Sequence, residues 1–423
     1  MKEDFLHYIW LHKKLDVTKL FTLKKEKIEI LSFGQYLQTA GPDFFNAQLI
    51  IGNQKWAGNI EIHLKSSDWY LHNHEIDENY NNVILHVVWE HDVEIYRKNN
   101  LEIPVLELKQ YVSLNEIDNY KKLMLSKTWI NCENQISNVD KIIVENWKER
   151  LFFERLERKS KTVLELLKET KNDWDAVLFC LLAKNFGLNT NGEIIYKMAK
   201  ELSFAIIRKE SNQLENIEAL FYGCTNLLND KLEDTYFQNL NSKWKFLKNK
   251  YRLNEKRNEE TLQFYKLRPD NFPTIRLSQL AVLYHTRHNI FQQSCNVKEI
   301  EKLYELFAVK ASKYWDNHYN FDKESTFKKK LISKSFIDLI IINTIIPLQF
   351  AYLNYIGKDN LEEIIHLIRQ IQPEKNSIIK KFNHFNVKVK TAFDSQSLLQ
   401  LKKEYCDGNR CLSCNIGISL IKN

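Results

Sequence analysis

Short apolar runs and one alternating stretch give the first hundred or so positions a strand-rich pattern, and the pattern then becomes helical. Residues 28–33 (IEILSF) and 47–52 are short apolar runs. Residues 56–65 end in strict alternation, with Ile60, Ile62 and Leu64 on one face and Glu61, His63 and Lys65 on the other. Residues 83–89 (VILHVVW) form a nearly continuous apolar run, as expected of a strand covered on both faces. Residues 101–108 contain Pro104, which suits an edge strand. Ahead of these strands, residues 3–14 predict a short helix with Phe5, Tyr8, Ile9 and Leu11 among its apolar positions. The polar stretch 77–82 predicts a helical turn. The expected order is helix, three strands, polar connection, buried strand.

Beyond about residue 112 the character changes. Residues 145–168 are rich in helix formers and densely charged, and similar segments follow at 173–187, 193–209, 212–229, 233–250, 276–293, 297–312, 325–355 and 359–371. No fixed repeat period links them, so a regular solenoid is not expected. The pattern predicts an α+β chain: an α/β domain over residues 1–111, a linker region over 112–140, and a mainly helical domain over 141–423 with a cysteine-containing tail.

Composition sharpens this picture. The 423 residues are 44% hydrophobic, which excludes wholesale disorder, and Gly (10) and Pro (6) are scarce enough to favour long helices over a loop-rich or all-β chain. The most apolar stretch, 337–353, is interrupted by Asp338, Asn343, Pro347 and Gln349, so a buried helix is expected there and no membrane partner. The start, MKEDFLHYIW, is charged at once and has no apolar signal region, so a cytoplasmic location is expected. Residues 1–110 carry 12 Lys and Arg against 16 Asp and Glu, while the remainder carries 49 against 38. An acidic first part beside a basic second part fits a metal-dependent site next to a polyanion-binding surface, and equally fits two differently charged domains.

Candidate chemistry concentrates in residues 41–69, GPDFFNAQLIIGNQKWAGNIEIHLKSSDW. Three ionisable side chains on one strand face cost desolvation energy when buried unless something pairs with them. A divalent metal held by Asp43 and Glu61, with Lys65 nearby, meets that need. A solvent-facing strand with a Glu61–Lys65 pair is the plain alternative. Pro42–Asp43 followed by Glu61-x-His63-x-Lys65, within the helix–three strands–strand order, resembles the PD-(D/E)xK nuclease superfamily. That resemblance implies a restriction-endonuclease-like mixed sheet with flanking helices. It implies Mg2+ or Mn2+ on Asp43 and Glu61, with the Ile62 carbonyl as an extra ligand, and hydrolysis of phosphodiester bonds in DNA or RNA. The position two after Glu61 departs from the superfamily, because His63 stands where a lysine is expected. Either His63 takes the base or metal-ligand role, or Lys65 reaches back about 7 Å along the strand to stabilise charge, or the fold has been repurposed.

Two alternatives follow from neighbouring residues. His72 and His74, with His63, Asp68 and Asp77 close in sequence, suit zinc or manganese and a small-molecule hydrolase. Ordinary surface hydrogen bonding is the simpler fate of such histidines, and His86 in its apolar run is expected to be a satisfied core residue. The other alternative is a non-catalytic nucleic-acid-binding or scaffolding protein that relies on its basic helical part. Residues 243–257 (KWKFLKNKYRLNEKR) place Lys243, Lys245, Lys248, Lys250 and Arg252 among aromatics, a pattern that contacts phosphates or simply solvates a helix face. The segment RPDNFPTIR, with two prolines, predicts an extended turn. There Arg268 and Arg276 clamp an anion, or Arg276 serves as a structural staple.

The seven cysteines do not suggest a disulfide framework. Cys132, Cys180, Cys224 and Cys295 are scattered and expected to be buried thiols. Cys406-x4-Cys411-x2-Cys414 has the close spacing that lets thiolates converge on structural Zn2+ or an iron–sulfur cluster, with one ligand missing. Cys295 and His288 are candidates to supply it, and reduced packing thiols are the alternative. The whole chain resembles an uncharacterised bacterial family, domain of unknown function 2851, through AGPDF (40–44), GNIEIHLKSSDW (58–69), NNVILHVVWEHD (81–92), WKERLFFERLERK (147–159), RPDNFPTIRLSQLA (268–281) and the cysteine-rich tail. This second resemblance implies no activity.

Overall fold

A computed structural model describes residues 1–37, 41–126, 128–253, 261–358 and 361–422. Ala40 of the AGPDF motif, and Lys256 and Arg257 at the end of the basic stretch, lie outside the described residues. The chain divides into two compact units. The first comprises Met1–Lys148, Asn383–Val387 and Gln400–Asn423, and the second Glu149–Phe382 and Lys388–Leu399.

The first unit opens with helix α1 (Glu3–Leu11). Its Glu3 and Asp4 favour the positive end of the helix dipole, while Phe5, Leu6, Tyr8, Ile9 and Trp10 turn inward. Leu11, expected among the apolar contacts, is exposed, and Trp10 fills that role. Strands β1 (Leu20–Phe21), β2 (Lys27–Ser32), β3 (Gln35–Tyr36), β4 (Phe44–Ile51), β5 (Gln54–Lys65), β6 (Val83–Glu90) and β7 (Val105–Glu107) form one mixed sheet. Its order is β1-β2-β4-β5-β6-β7, with β3 also paired to β4. The pairings from β1 to β5 are antiparallel, and β6 lies parallel to both β5 and β7. The short helix α2 (Asp68–Leu71) begins the crossover from β5 to β6. Gly58 permits that junction, since a Cβ there would come within 2.4 Å of the Asn82 carbonyl oxygen and 2.5 Å of the Ile84 side chain. The strand at residues 101–108 is shortened to β7 and sits at the sheet edge, with Pro104 just outside it.

Alternation on β5 divides the two faces of this sheet. Ile60 and Ile62 join Phe5, Ile9, Leu49 and Val87 in one core, where burying each aliphatic side chain contributes roughly 1.5–3 kcal/mol. Trp69, Tyr80, Val83, Val88, Ile95 and Ile103 form a separate cluster that includes residues of the crossover. Residues 112–140, expected as a linker, belong to the first unit instead. Helix α3 (Leu114–Met124) lies within them and buries Ile117, Tyr120 and Leu123 in the α1 core. The cysteine-containing tail, expected with the helical domain, also groups with the first unit, and Ile421 enters the same core. Apolar burial outweighs sequence proximity at both places.

The second unit is helical and begins within the long helix α4 (Lys141–Glu169). A helical hairpin, Trp174–Phe186 and Leu188–Glu201, contributes Phe179, Phe186 and Ile195 to a core that also holds Phe221 and Trp315. The expected extended turn at RPDNFPTIR is a short 3-10 turn, Pro269–Asn271, followed by a helix that starts at Pro273. Proline is suited to that first helical position, where no N–H is needed. Lys334–Tyr355 is long and apolar enough to cross a membrane by length and composition, and most of it is buried in this unit. A π turn, Ile341–Ile345, interrupts it, and Asn343 there accepts a 2.8 Å hydrogen bond from Lys159. Desolvation holds the Lys159 ammonium well below the ordinary lysine pKa.

Candidate metal centre

Asp43 stands just before β4 and Glu61 lies within β5, and the antiparallel pairing brings them together. The Asp43 backbone N–H donates to Glu61 Oε2 (3.1 Å), and the Ile62 N–H donates to Asp43 Oδ2 (3.0 Å). Glu61 is almost wholly buried. Its Oε1 lies 3.4 Å from His63 Nε2 and 3.4 Å from His74 Nε2. His72 Nδ1 is 3.1 Å from His63 Nε2, and one ligand atom from each of His63, His72 and His74 falls within 4.8 Å of the others. Metal–nitrogen bonds of about 2.1 Å in a tetrahedron give ligand–ligand edges of about 3.4 Å. The convergence of His63, His72 and His74 suits a single bound ion, with Glu61 Oε1 3.4 Å from two of the three.

The surrounding residues hold these groups in place. His63 Nδ1 lies 2.8 Å from His86 Nε2, so ligation through His63 Nε2 leaves its Nδ1–H to donate to His86. His74 stacks on Tyr80 with ring centres 3.7 Å apart, and Trp69 meets the edges of both His74 and His86. Trp69 is fully buried and donates its indole N–H to the Tyr96 carbonyl. On the other side, His7 Nε2 of α1 lies 3.1 Å from Asp43 Oδ2. His63 is buried, whereas His72 is open to solvent.

Burial, reinforced by the Asp43 charge, pushes the Glu61 carboxyl up to about 9. Burial pushes His63 down to about 2 and His86 down to about 3, and lowers His74 as well. Burial also opposes the charged form of His7, but the hydrogen bond and charge of Asp43 outweigh it and raise the pKa. The raised Glu61 value favours the metal-free fold below the unfolded carboxyl range, near pH 4.5, and that stability is lost as pH climbs towards 9. A metal ligated by Glu61 would require the carboxylate, so its binding near pH 7 would displace the Glu61 proton, whereas His63 has none to lose. Apparent affinity for Zn2+ or Mn2+ is expected to rise about tenfold per pH unit from 7 towards 9 and then level off. Calorimetry in buffers of different ionisation enthalpy measures the released proton, and an affinity flat over that range would contradict this protonation state.

The other expected site residues are distributed as follows. Lys65 stands at the exposed end of β5, where its charge acts on Asp92. Asp68 accepts from the Lys65 N–H and Asp77 from the Asn79 N–H, so both cap turns beside the triad. His86, expected as a satisfied core histidine, is buried and bonded to His63, while its Nδ1 has no partner among the described residues. Lys243, Lys245, Lys248 and Lys250 lie on the helix Thr235–Tyr251, which Arg252 caps in a left-handed conformation. Lys243 pairs with Glu215 (3.3 Å) and Lys250 with Glu210 (2.7 Å). Arg268 is exposed. Arg276 is not available to an outside anion, which corrects the clamp expectation. It is 6% exposed, bonded to Gln279 and Asn271, and stacked over Phe336, as a staple held by amides and an aromatic ring. Sequence reasoning missed His7, although its i,i+4 spacing from Glu3 was a usable signal.

A mixed-sheet unit carrying a buried histidine–carboxylate set suited to a metal, followed by a helical unit, defines the class of this chain. A family model described as "Protein of unknown function (DUF2851)" matches residues 3–377, and the chain belongs to that family. The match ends before the cysteine tail. No curated protein and no solved structure matches the chain.

Proposed function

We propose that this protein is a metal-dependent hydrolase of phosphodiester bonds in nucleic acid, with Glu61, His63, His72 and His74 as the metal-binding groups. The observation that carries the reading is the buried Glu61 Oε1 lying 3.4 Å from both His63 and His74. A carboxylate buried beside neutral imidazoles is costly unless a cation joins it. Three imidazoles favour Mn2+ or Zn2+ over Mg2+, which narrows the expected cofactor.

A divalent ion in this cradle would supply Lewis-acid polarisation of a substrate oxygen and would acidify water. The chain's own groups divide the remaining work. The solvent-open side at His72 is where a substrate enters. His7 is held by Asp43 with a raised pKa, so it can carry a proton near neutrality and give it to a leaving oxygen. Asp43 in turn is fixed by the Ile62 N–H. His7 thus stands beside the carboxylates, while Lys65 acts on Asp92. The succession of helix, antiparallel strands and a parallel strand, with Asp43 and Glu61 on neighbouring strands, supports a restriction-endonuclease-like assignment and a nucleic-acid substrate. The imidazole-rich donor set favours a second reading, hydrolysis of a small phosphate ester or related molecule at the same centre.

The test is cleavage of mixed DNA and RNA, beside a chromogenic phosphodiester, by full-length protein loaded with Mn2+ or Zn2+ and by chelated protein. Metal-dependent cleavage of the polymers is expected. Turnover of the small ester alone, uninhibited by excess DNA or RNA, would support the second reading. Metal-independent binding without turnover would favour the non-catalytic alternative.

A further inference from the structure

Four cysteines meet in the first unit. Cys132, from the turn after α3, lines one small cavity together with Cys406, Cys411 and Cys414 of the tail. None forms a disulfide. Sequence spacing placed three of them together and took Cys132 for an isolated packing thiol, with Cys295 or His288 as candidates for the missing ligand. Both of those residues belong to the second unit, where Cys295 is a half-buried thiol pushed up to about 12.

The cavity is lined by sulfur with a few polar groups beside it. Cys414 occupies the position just before the C-terminal helix Asn415–Lys422, where the first backbone N–H groups of a helix lack partners within it. The Asn131 side-chain amide donates to Cys411 Sγ (3.5 Å). The indole N–H of Trp147, a residue only 6% exposed, has no hydrogen-bond partner among the described residues. Gly417 lets the helix approach the Cys411 turn, since a Cβ there would lie 2.2 Å from the Cys411 carbonyl oxygen. Burial raises the pKa of every one of the four thiols. An amide donor on sulfur and unpaired N–H groups beside it are what a metal–thiolate site requires of its surroundings.

We infer that Cys132, Cys406, Cys411 and Cys414 form a four-thiolate metal site, holding one zinc ion or a four-iron–four-sulfur cluster, separate from the histidine centre. The loading exchanges the thiol protons for the metal, without oxidation of the cysteines. Its structural consequence is a clip between residue 132 and the tail that closes a loop of about 270 residues, the kind of long closure that constrains the unfolded chain most.

The test uses full-length protein purified without oxygen, as isolated and after loading with zinc or with iron and sulfide. Expected are one zinc with sulfur scatterers at its absorption edge, or four iron and four sulfide with thiolate-to-iron visible absorption. Either identifies the occupant and supports the site. Alkylation mapped by mass spectrometry should spare all four cysteines until the metal is stripped, and then label them together. Cys132→Ser should lose the sulfur-bound metal, whereas Cys295→Ser should retain it. Thiols that react freely from the start, protection that stripping leaves unchanged, or a folded Cys132→Ser protein with full sulfur-bound metal would each overturn the inference. None of these readouts depends on hydrolysis or on the histidine centre.

Discussion

Replacing His63 with alanine is expected to lower the affinity for Zn2+ or Mn2+ by more than about 100-fold, because loss of a ligand should exceed the 10–100-fold effects of outer-shell partners. Metal-dependent turnover should fall with it. His63 is the hub of the cluster, since its Nε2 faces both Glu61 and His72 while its Nδ1 is held by His86. Removing the ring withdraws one donor and frees His86 and His72 to move. His91→Ala is the control, since His91 pairs with Glu94 (3.5 Å), supplies no ligand atom to the triad and should leave affinity nearly unchanged. Titration of the metal-free proteins measures both. Wild-type affinity in a folded His63→Ala protein would mean that the histidines meet for packing alone.

The largest expected effect on stability is that of Trp69→Ala, a loss of about 3–5 kcal/mol. The ring is fully buried against His74, Tyr80 and His86, and its N–H donates to Tyr96, so truncation leaves a cavity and an unpaired carbonyl together. The cavity also opens beside His74, so metal affinity should weaken even at temperatures where the first unit stays folded. Trp69→Phe, which keeps most of the buried area, should cost much less. Thermal melts followed by near-ultraviolet circular dichroism, with metal titrations beside them, separate the two consequences. A Trp69→Ala protein that melts with the wild type would show that the crossover does not support the site.

Much of the first unit was legible because strand alternation is a local, two-residue property. The pattern around Ile60, Ile62, Glu61 and His63 correctly separates a core face from a chemical face. The continuous VILHVVW run reads as a strand covered on both sides, and β6 is buried almost throughout. The helical segments of the second unit were legible for a similar reason, although 193–209 and 276–293 each divide into two helices. The expected linker failed because its apolar residues at Ile117, Tyr120 and Leu123 are spaced as one helix face, a signal that the surrounding polar residues obscured.

The candidate site was legible only in its sequence-adjacent parts. Glu61 and His63 are two residues apart on a strand, and His72 and His74 follow within one short connection, so their proximity was foreseeable. His7 was not read from the sequence, because its spacing from Glu3 marks a helix pair and only tertiary contact brings α1 to Asp43. Cys132 was missed for the same reason, being separated from Cys406 by the whole second unit. The basic residues failed in the opposite direction. Lys243, Lys250 and Arg276 look like free cations in a linear reading, yet acids or amides already hold them.

The sequence by itself determined strands followed by helices and which side chains have the chemistry to ligate a metal. Those properties follow from periodicity and side-chain chemistry, which each short stretch carries alone. The tertiary structure decided which ionisable groups are buried together, which are already paired, and which distant residues complete a set. Such outcomes depend on the free energy of desolvation and on distances between segments far apart in sequence, and a linear pattern contains neither.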